Sequence, residues 1–133
     1  MKLILDTNAY VGFKLGNKEL VEYLIRADTI LFSPVVLGEL MFGFRSGTRF
    51  DSNMAELNRF LAHRAVEMIG ITEVTSDRYS RIASRLKKQG NPIPINDIWI
   101  AAQTMETGAE LVTMDHHFKK INGLVYRLFT YAV

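Results

Sequence analysis

Apolar residues fall along this chain in two different periods. Three short unbroken runs, Leu3-Ile4-Leu5, Ile30-Leu31-Phe32 and Leu111-Val112, each stop against a polar residue, Asp6, Ser33 or Thr113. Runs of this length without polar alternation suit interior strands of a parallel sheet covered on both faces. Between them the period changes to three and four. A short helix is predicted over Ala9 to Leu15, and a second over Lys18 to Ile25, where Leu20, Tyr23 and Leu24 share a face and Asn17 caps the start. Ser33 and Pro34 predict an immediate helix start after the second strand, running to about Arg45, with Ser33 as N-cap and Pro34 preorganised for the first turn. A helix over Asp51 to His63 aligns Met54, Leu57, Phe60 and Leu61, and Val66 to Ile71 reads as a strand. Thr75 or Ser76 opens an amphipathic helix with Tyr79, Ile82, Ala83 and Leu86 inward and a stop at Gly90. After the stiff Pro92 and Pro94 loop, Asn96 is placed to cap a helix from Asp97 to Met105 that closes at Gly108, and Val125 to Phe129 completes the pattern as a last strand. Strands alternating with helices predict an α/β sandwich on a mostly parallel sheet. Trp99 falls among its core residues.

Composition narrows the class. The chain has 133 residues, 48% hydrophobic and 23% charged, the size of one domain that buries roughly two thirds of its unfolded surface. We therefore expect a single domain over residues 1–133. With no cysteine there is no disulfide framework, no thiol nucleophile and no cysteine-bound zinc. No apolar run approaches the ~18 residues that span a bilayer, and Lys2 to Leu5 is too short for a secretory signal core, so the expected address is the cytoplasm and no membrane contact is predicted.

Net charge is +2, which alone only permits a polyanionic partner. Its distribution says more. Arg78, Arg81, Arg85 and Lys88 share the outer face of one predicted helix, and Arg45 and Arg49 flank another. A solvated helix surface explains such a face, and so does contact with a phosphate backbone.

Four acids stand where an α/β unit delivers side chains to one sheet edge. Asp6 ends the first strand, Asp97 begins a helix, Asp115 follows a late strand, and Glu39 projects from the helix that starts as the second strand ends. Singly, the three aspartates are explained by turns or by a helix dipole. Glu39 is different: its neighbours three and four residues away are Val35, Val36, Phe42 and Gly43, with no local cation. A carboxylate on so apolar a helix has to reach a pocket, a distant base or a metal. Four carboxylates together repel by several kcal/mol per close pair at an effective dielectric of ~20, unless divalent cations or shared protons intervene. Oxygen donors without thiols point to Mg²⁺, with Mn²⁺ able to substitute. His116 and His117 are adjacent, cannot both face one way from a regular element, and read as surface residues.

The motifs Leu-Asp-Thr-Asn at 5 to 8, Ser-Pro-Val-Val-Leu-Gly-Glu-Leu at 33 to 40, Asn-Asp-Ile-Trp-Ile-Ala-Ala at 96 to 102 and Leu-Val-Thr-Met-Asp-His-His-Phe at 111 to 118 resemble, in order and across essentially the whole chain, those of the PIN domain, and most closely the VapC toxin group. The resemblance implies a three-layer α/β/α sandwich and a Mg²⁺-dependent ribonuclease. It places Asp6, Glu39, Asp97 and Asp115 at the acidic positions, and Thr7, Asn8, Asn96 and Thr113 at polar positions beside them. It also implies a homodimer and a small antitoxin partner. Three other classes compete, one of them a phosphoreceiver module, which would want an acidic pair at the first strand where only Asp6 is found. A haloacid-dehalogenase-type phosphatase needs a second Asp two residues after the first, where this chain has Asn8. A non-catalytic RNA-binding or scaffolding PIN domain would normally have lost acids, and all four are present.

Overall fold

The computed structural model describes residues 1–131. Five parallel strands form one sheet: β1 (Lys2–Leu5), β2 (Thr29–Phe32), β3 (Val66–Met68), β4 (Glu110–Thr113) and β5 (Tyr126–Leu128), in the order β3-β2-β1-β4-β5. The helices are α1 (Thr7–Lys14), α2 (Lys18–Ile25), α3 (Pro34–Arg45), α4 (Phe50–Leu61), α5 (Glu73–Gln89) and α6 (Ile95–Thr107), and a 3-10 helix spans His116–Lys120. Strand β1 lies at the centre. Leu3, Ile4 and Leu5 are each 0% exposed, and because successive strand side chains point to opposite faces, both faces of the sheet are covered there. This is the predicted α/β/α arrangement. Each such side chain, fully buried, contributes about 1.5 to 3 kcal/mol relative to exposure.

Several boundaries differ from the sequence reading. Helix α1 starts at Thr7, not Ala9, because Asp6 caps it, its carboxylate accepting the Ala9 N–H at 2.9 Å. Helix α5 starts behind Thr72, not Thr75 or Ser76: Thr72 and Thr75 exchange hydrogen bonds at the first turn, and the hydroxyls of both reach Glu106 on α6. That long-range carboxylate cannot be seen in a local pattern. Asn96 is not a cap, because the chain is already helical at Ile95 and the cap position falls on Pro94. Strand β3 pairs over three residues only, being at the edge. Trp99 is half-buried and stacks on Tyr79, ring centroids 4.0 Å apart, in the α5–α6 seam.

Two features fix the helices that carry acids. Ser33 caps α3 through the Val35 N–H at 3.1 Å, and its buried hydroxyl donates to Gln103 Oε1 of α6 at 2.5 Å. The Gln103 amide donates in turn to the Gly70 carbonyl beyond β3 at 3.1 Å. One glutamine thus ties α3, α6 and the edge-strand loop together. Among the described residues no helix is long and apolar enough to cross a membrane.

Candidate metal centre

In a parallel sheet of this order the chain leaves β1 towards β2 and β3, then returns to β4 on the other side, so the switch point lies between β1 and β4. Crevices form there, beyond the carboxyl ends of the strands. Asp6 follows β1 and Asp115 follows β4, so the two flank that crevice. The Asp6 backbone N–H reaches the Val112 carbonyl at 3.4 Å.

Hydroxyls hold the acids. Thr113, fully buried at the end of β4, donates its hydroxyl to Asp6 Oδ2, and the Thr113 Oγ1 accepts the Asp115 N–H at 2.9 Å. Thr7, in the first turn of α1, donates to Glu39 Oε1 at 2.7 Å, which supplies the partner that Glu39 lacks within α3. Asp115 caps the 3-10 helix by accepting the His117 N–H at 2.9 Å. Asp97 sits in the first turn of α6, its side chain 15% exposed. Among the described residues no Lys or Arg forms an ion pair with any of these four acids.

Their protonation reflects this. Burial pushes the Asp6 carboxyl up to about 6; hydrogen bonds from Thr113 and Ala9 pull it down, and the charges of Asp97 and Asp115 push it further up. Burial also raises Asp97, opposed by His117 and assisted by Asp115 and Glu39. The four carboxylates are therefore one electrostatic unit. The chemistry of the set, carboxylate oxygens with no Lys or Arg partner, fits a divalent cation.

The tightest group within that unit contains a residue the sequence reading assigned to the surface. Donor atoms of Asp97, Asp115 and His117 lie within 4.8 Å of one another, whereas Asp6 and Glu39 stand outside it. His117 Nδ1 is 3.3 Å from Asp97 Oδ2 and 3.0 Å from Asp115 Oδ1, while His116 is exposed. Adjacent residues indeed face apart, but one of the two faces the acids. Both histidines lie between Asp115 and Phe118, and it is the Asp115 cap on the His117 N–H, with Phe118 wholly buried, that sets them apart.

The other sequence candidates are dispersed. Asn8 and Asn96 are both exposed, and neither is a hydrogen-bond partner of the acids among the described residues. Arg78, Arg81 and Arg85 line, with Lys120, a cavity of about 260 Å³ floored by Ile82 and Leu86. Lys88 borders the adjoining hollow, and Arg81 also pairs with Asp77 at 2.9 Å. Arg45 lies over the Phe50 ring at 4.2 Å, and Arg49 is exposed just ahead of α4.

Known proteins share both sequence and shape with this chain. The PIN domain model matches residues 3–124. Ribonuclease VapC2 of Rickettsia felis is 30% identical over 106 residues, 79% of this chain and 78% of that protein. Ribonuclease VapC1 of Haemophilus influenzae strain R2866 is 28% identical over 136 residues, 98% and 99% of the two chains. A chain of the crystal structure of VapBC2 from R. felis, bound to a DNA fragment from their promoter, superposes with a TM-score of 0.86 at 28% identity, covering 97% of this chain and 99% of that one. VapBC-1 from nontypeable H. influenzae gives a TM-score of 0.86 at 25% identity, covering 96% and 98%. The chain belongs to the PIN-domain family, and within it to the VapC proteins.

The buried acid sets a pH dependence of stability. Asp6 titrates at about 6 when folded against an ordinary 3.8, so the folded state holds the extra proton between those values and stability falls as pH rises through that window, by about 3 kcal/mol in all. In EDTA, Asp6→Asn is expected to melt above wild type at pH 7, with the difference vanishing near pH 4. Equal melting temperatures across that range would contradict this.

Proposed function

We propose that this chain is a Mg²⁺-dependent endoribonuclease acting in the cytoplasm as the toxin of a toxin–antitoxin pair, its PIN fold spanning the whole chain as one domain. One observation carries the reading: four carboxylates from separate elements are electrostatically coupled beyond the carboxyl ends of the strands, partnered by hydroxyls, backbone amides and one imidazole instead of Lys or Arg. The VapC relatives named above are ribonucleases, which supports RNA as the substrate.

Asp6, Glu39, Asp97 and Asp115 would hold the ion. When bound, it supplies water that is nucleophilic near neutral pH and charge compensation for the phosphate and its leaving oxygen. The chain's other residues fix those acids. Thr113 sets the rotamer of Asp6 and the turn carrying Asp115, and Thr7 aims Glu39. No protein nucleophile is needed. Arg78, Arg81, Arg85 and Lys88 would carry the RNA backbone along α5, with Arg45 and Arg49 as further phosphate contacts.

The partner surface is apolar. A groove of about 650 Å³ between α1, α2 and α4 is lined by Phe13, Val21, Leu24, Ile25 and Phe60, with Lys14 and Arg59 also lining it. Solved relatives are VapBC complexes, and we assign the groove to apolar side chains of the antitoxin. A homodimer would use a different face, where Phe42 on α3 is 75% exposed.

Three outcomes are expected. Asp97→Asn should lower cleavage of defined tRNA and mRNA substrates in Mg²⁺ or Mn²⁺ by at least about 100-fold, and EDTA should abolish it in wild type; full activity of the variant at saturating Mg²⁺ refutes the assignment, while stabilisation by Mg²⁺ without any cleavage favours the non-catalytic PIN reading. Replacing Arg81 and Arg85 by Ala should flatten the log–log salt dependence of RNA affinity by roughly 1.4, about 0.7 for each lost phosphate contact, and an unchanged slope removes α5 from the RNA path. Ile25→Asp, at a position 74% exposed, should weaken binding of the co-expressed antitoxin by about 30-fold or more while sparing cleavage; undiminished complex formation would place the partner elsewhere.

A further inference from the structure

The acids form an oxygen-lined edge, yet the side chain that approaches two of them at once brings a nitrogen. His117 Nδ1 lies 3.3 Å from Asp97 Oδ2 and 3.0 Å from Asp115 Oδ1. Neighbouring ligand atoms around an octahedral ion with bonds of about 2.1 Å stand about 3 Å apart, so these separations suit adjacent positions on one cation. The local fold selects this imidazole over its neighbour. Asp115 accepts the His117 N–H at 2.9 Å and so sets the first turn of the 3-10 helix, Phe118 anchors the next residue in the core, and His116 is left in solvent. His117 itself is 44% exposed at the side chain, open enough for an ion to reach it and held on two sides.

We propose that His117 is a direct nitrogen ligand of the divalent ion, and that it makes the centre a mixed oxygen–nitrogen site that ranks Mn²⁺ above Mg²⁺. The proposal rests on the metal-dependent reading above and refines it. Mg²⁺ is a hard ion that keeps oxygen ligands and several waters, whereas imidazole adds affinity for transition ions. Carboxylates alone give little reason to prefer one over the other. An imidazole also completes the ligand set without adding a further negative charge to a cluster whose carboxyls burial, and after it mutual repulsion, already push up. The opposite role, a hydrogen bond from His117 across the two acids with no bond to the ion, predicts different spectra.

The test uses the full chain without RNA. Pulsed electron paramagnetic resonance on the Mn²⁺-loaded protein should show coupling to a nitrogen nucleus in wild type and in His116→Ala, and none in His117→Ala or His117→Gln. Calorimetric titration should show the Mn²⁺ Kd rising about tenfold in both His117 variants while the Mg²⁺ Kd moves less than about threefold. Bound Mn²⁺ without nitrogen coupling in wild type overturns the proposal and leaves the metal-dependent reading intact. Coupling that persists in His117→Ala overturns it equally. Failure of wild type to bind Mn²⁺ or Mg²⁺ at all would remove both.

Discussion

Repulsion among carboxylates at the edge of the sheet is the constraint on which the rest of this molecule depends. Asp6 is 5% exposed, and its charge is opposed by burial and by two neighbouring acids. Left to itself such a cluster would open or protonate. It persists because each acid belongs to an element fixed by something else: β1 by core packing on both faces, α3 by the Ser33 cap and Gln103, α6 by its seam with α5, and the 3-10 helix by buried Phe118. The apolar core supplies the stability that the functional edge consumes. An ion binding only to the folded chain would add RT ln(1 + [L]/Kd) to that stability and so link its binding to folding.

Strand order explains why the acids meet. Only where β1 and β4 lie side by side can the residues after each strand share a crevice, and these residues are 109 positions apart in sequence for Asp6 and Asp115. Parallel pairing puts both carboxyl ends on the same side. Helices α3 and α6 then begin at that side, which brings Glu39 and Asp97 within electrostatic reach.

What was legible in the sequence follows from range. The strands Lys2–Leu5, Thr29–Phe32 and Glu110–Thr113, the Ser33-Pro34 helix start and the stops at Gly90 and Gly108 are written in local chemistry, and the two glycines adopt φ of 69° and 71°, where a side chain would be strained. The sites that escaped had other causes. Thr72 caps α5 in a box with Thr75 that Glu106 backs from across the seam, and Asn96 gave way because the helix opens two residues earlier, at Ile95 behind Pro94. His117 was misplaced for another reason. The rule that adjacent side chains diverge was sound, but only the Asp115 cap and the buried position of Phe118 decide which histidine turns inward.

The choice of supporting groups around the acids carries a functional logic. Lys or Arg beside Asp6 or Glu39 would have relieved their repulsion and drawn the carboxyl pKa down, since an opposite charge within a few ångströms favours ionisation. It would also have supplied, permanently, the positive charge that a divalent cation supplies on binding, and the site would have lost its affinity for one. Thr7, Thr113 and the Ala9 and His117 amides orient the carboxylates by hydrogen bonds while leaving their charge largely uncompensated. The basic residues are kept apart, on the outer face of α5 and around its cavity. Under the proposed function, such a separation would let one molecule hold a cation at the crevice and a polyanion beside it without either neutralising the other.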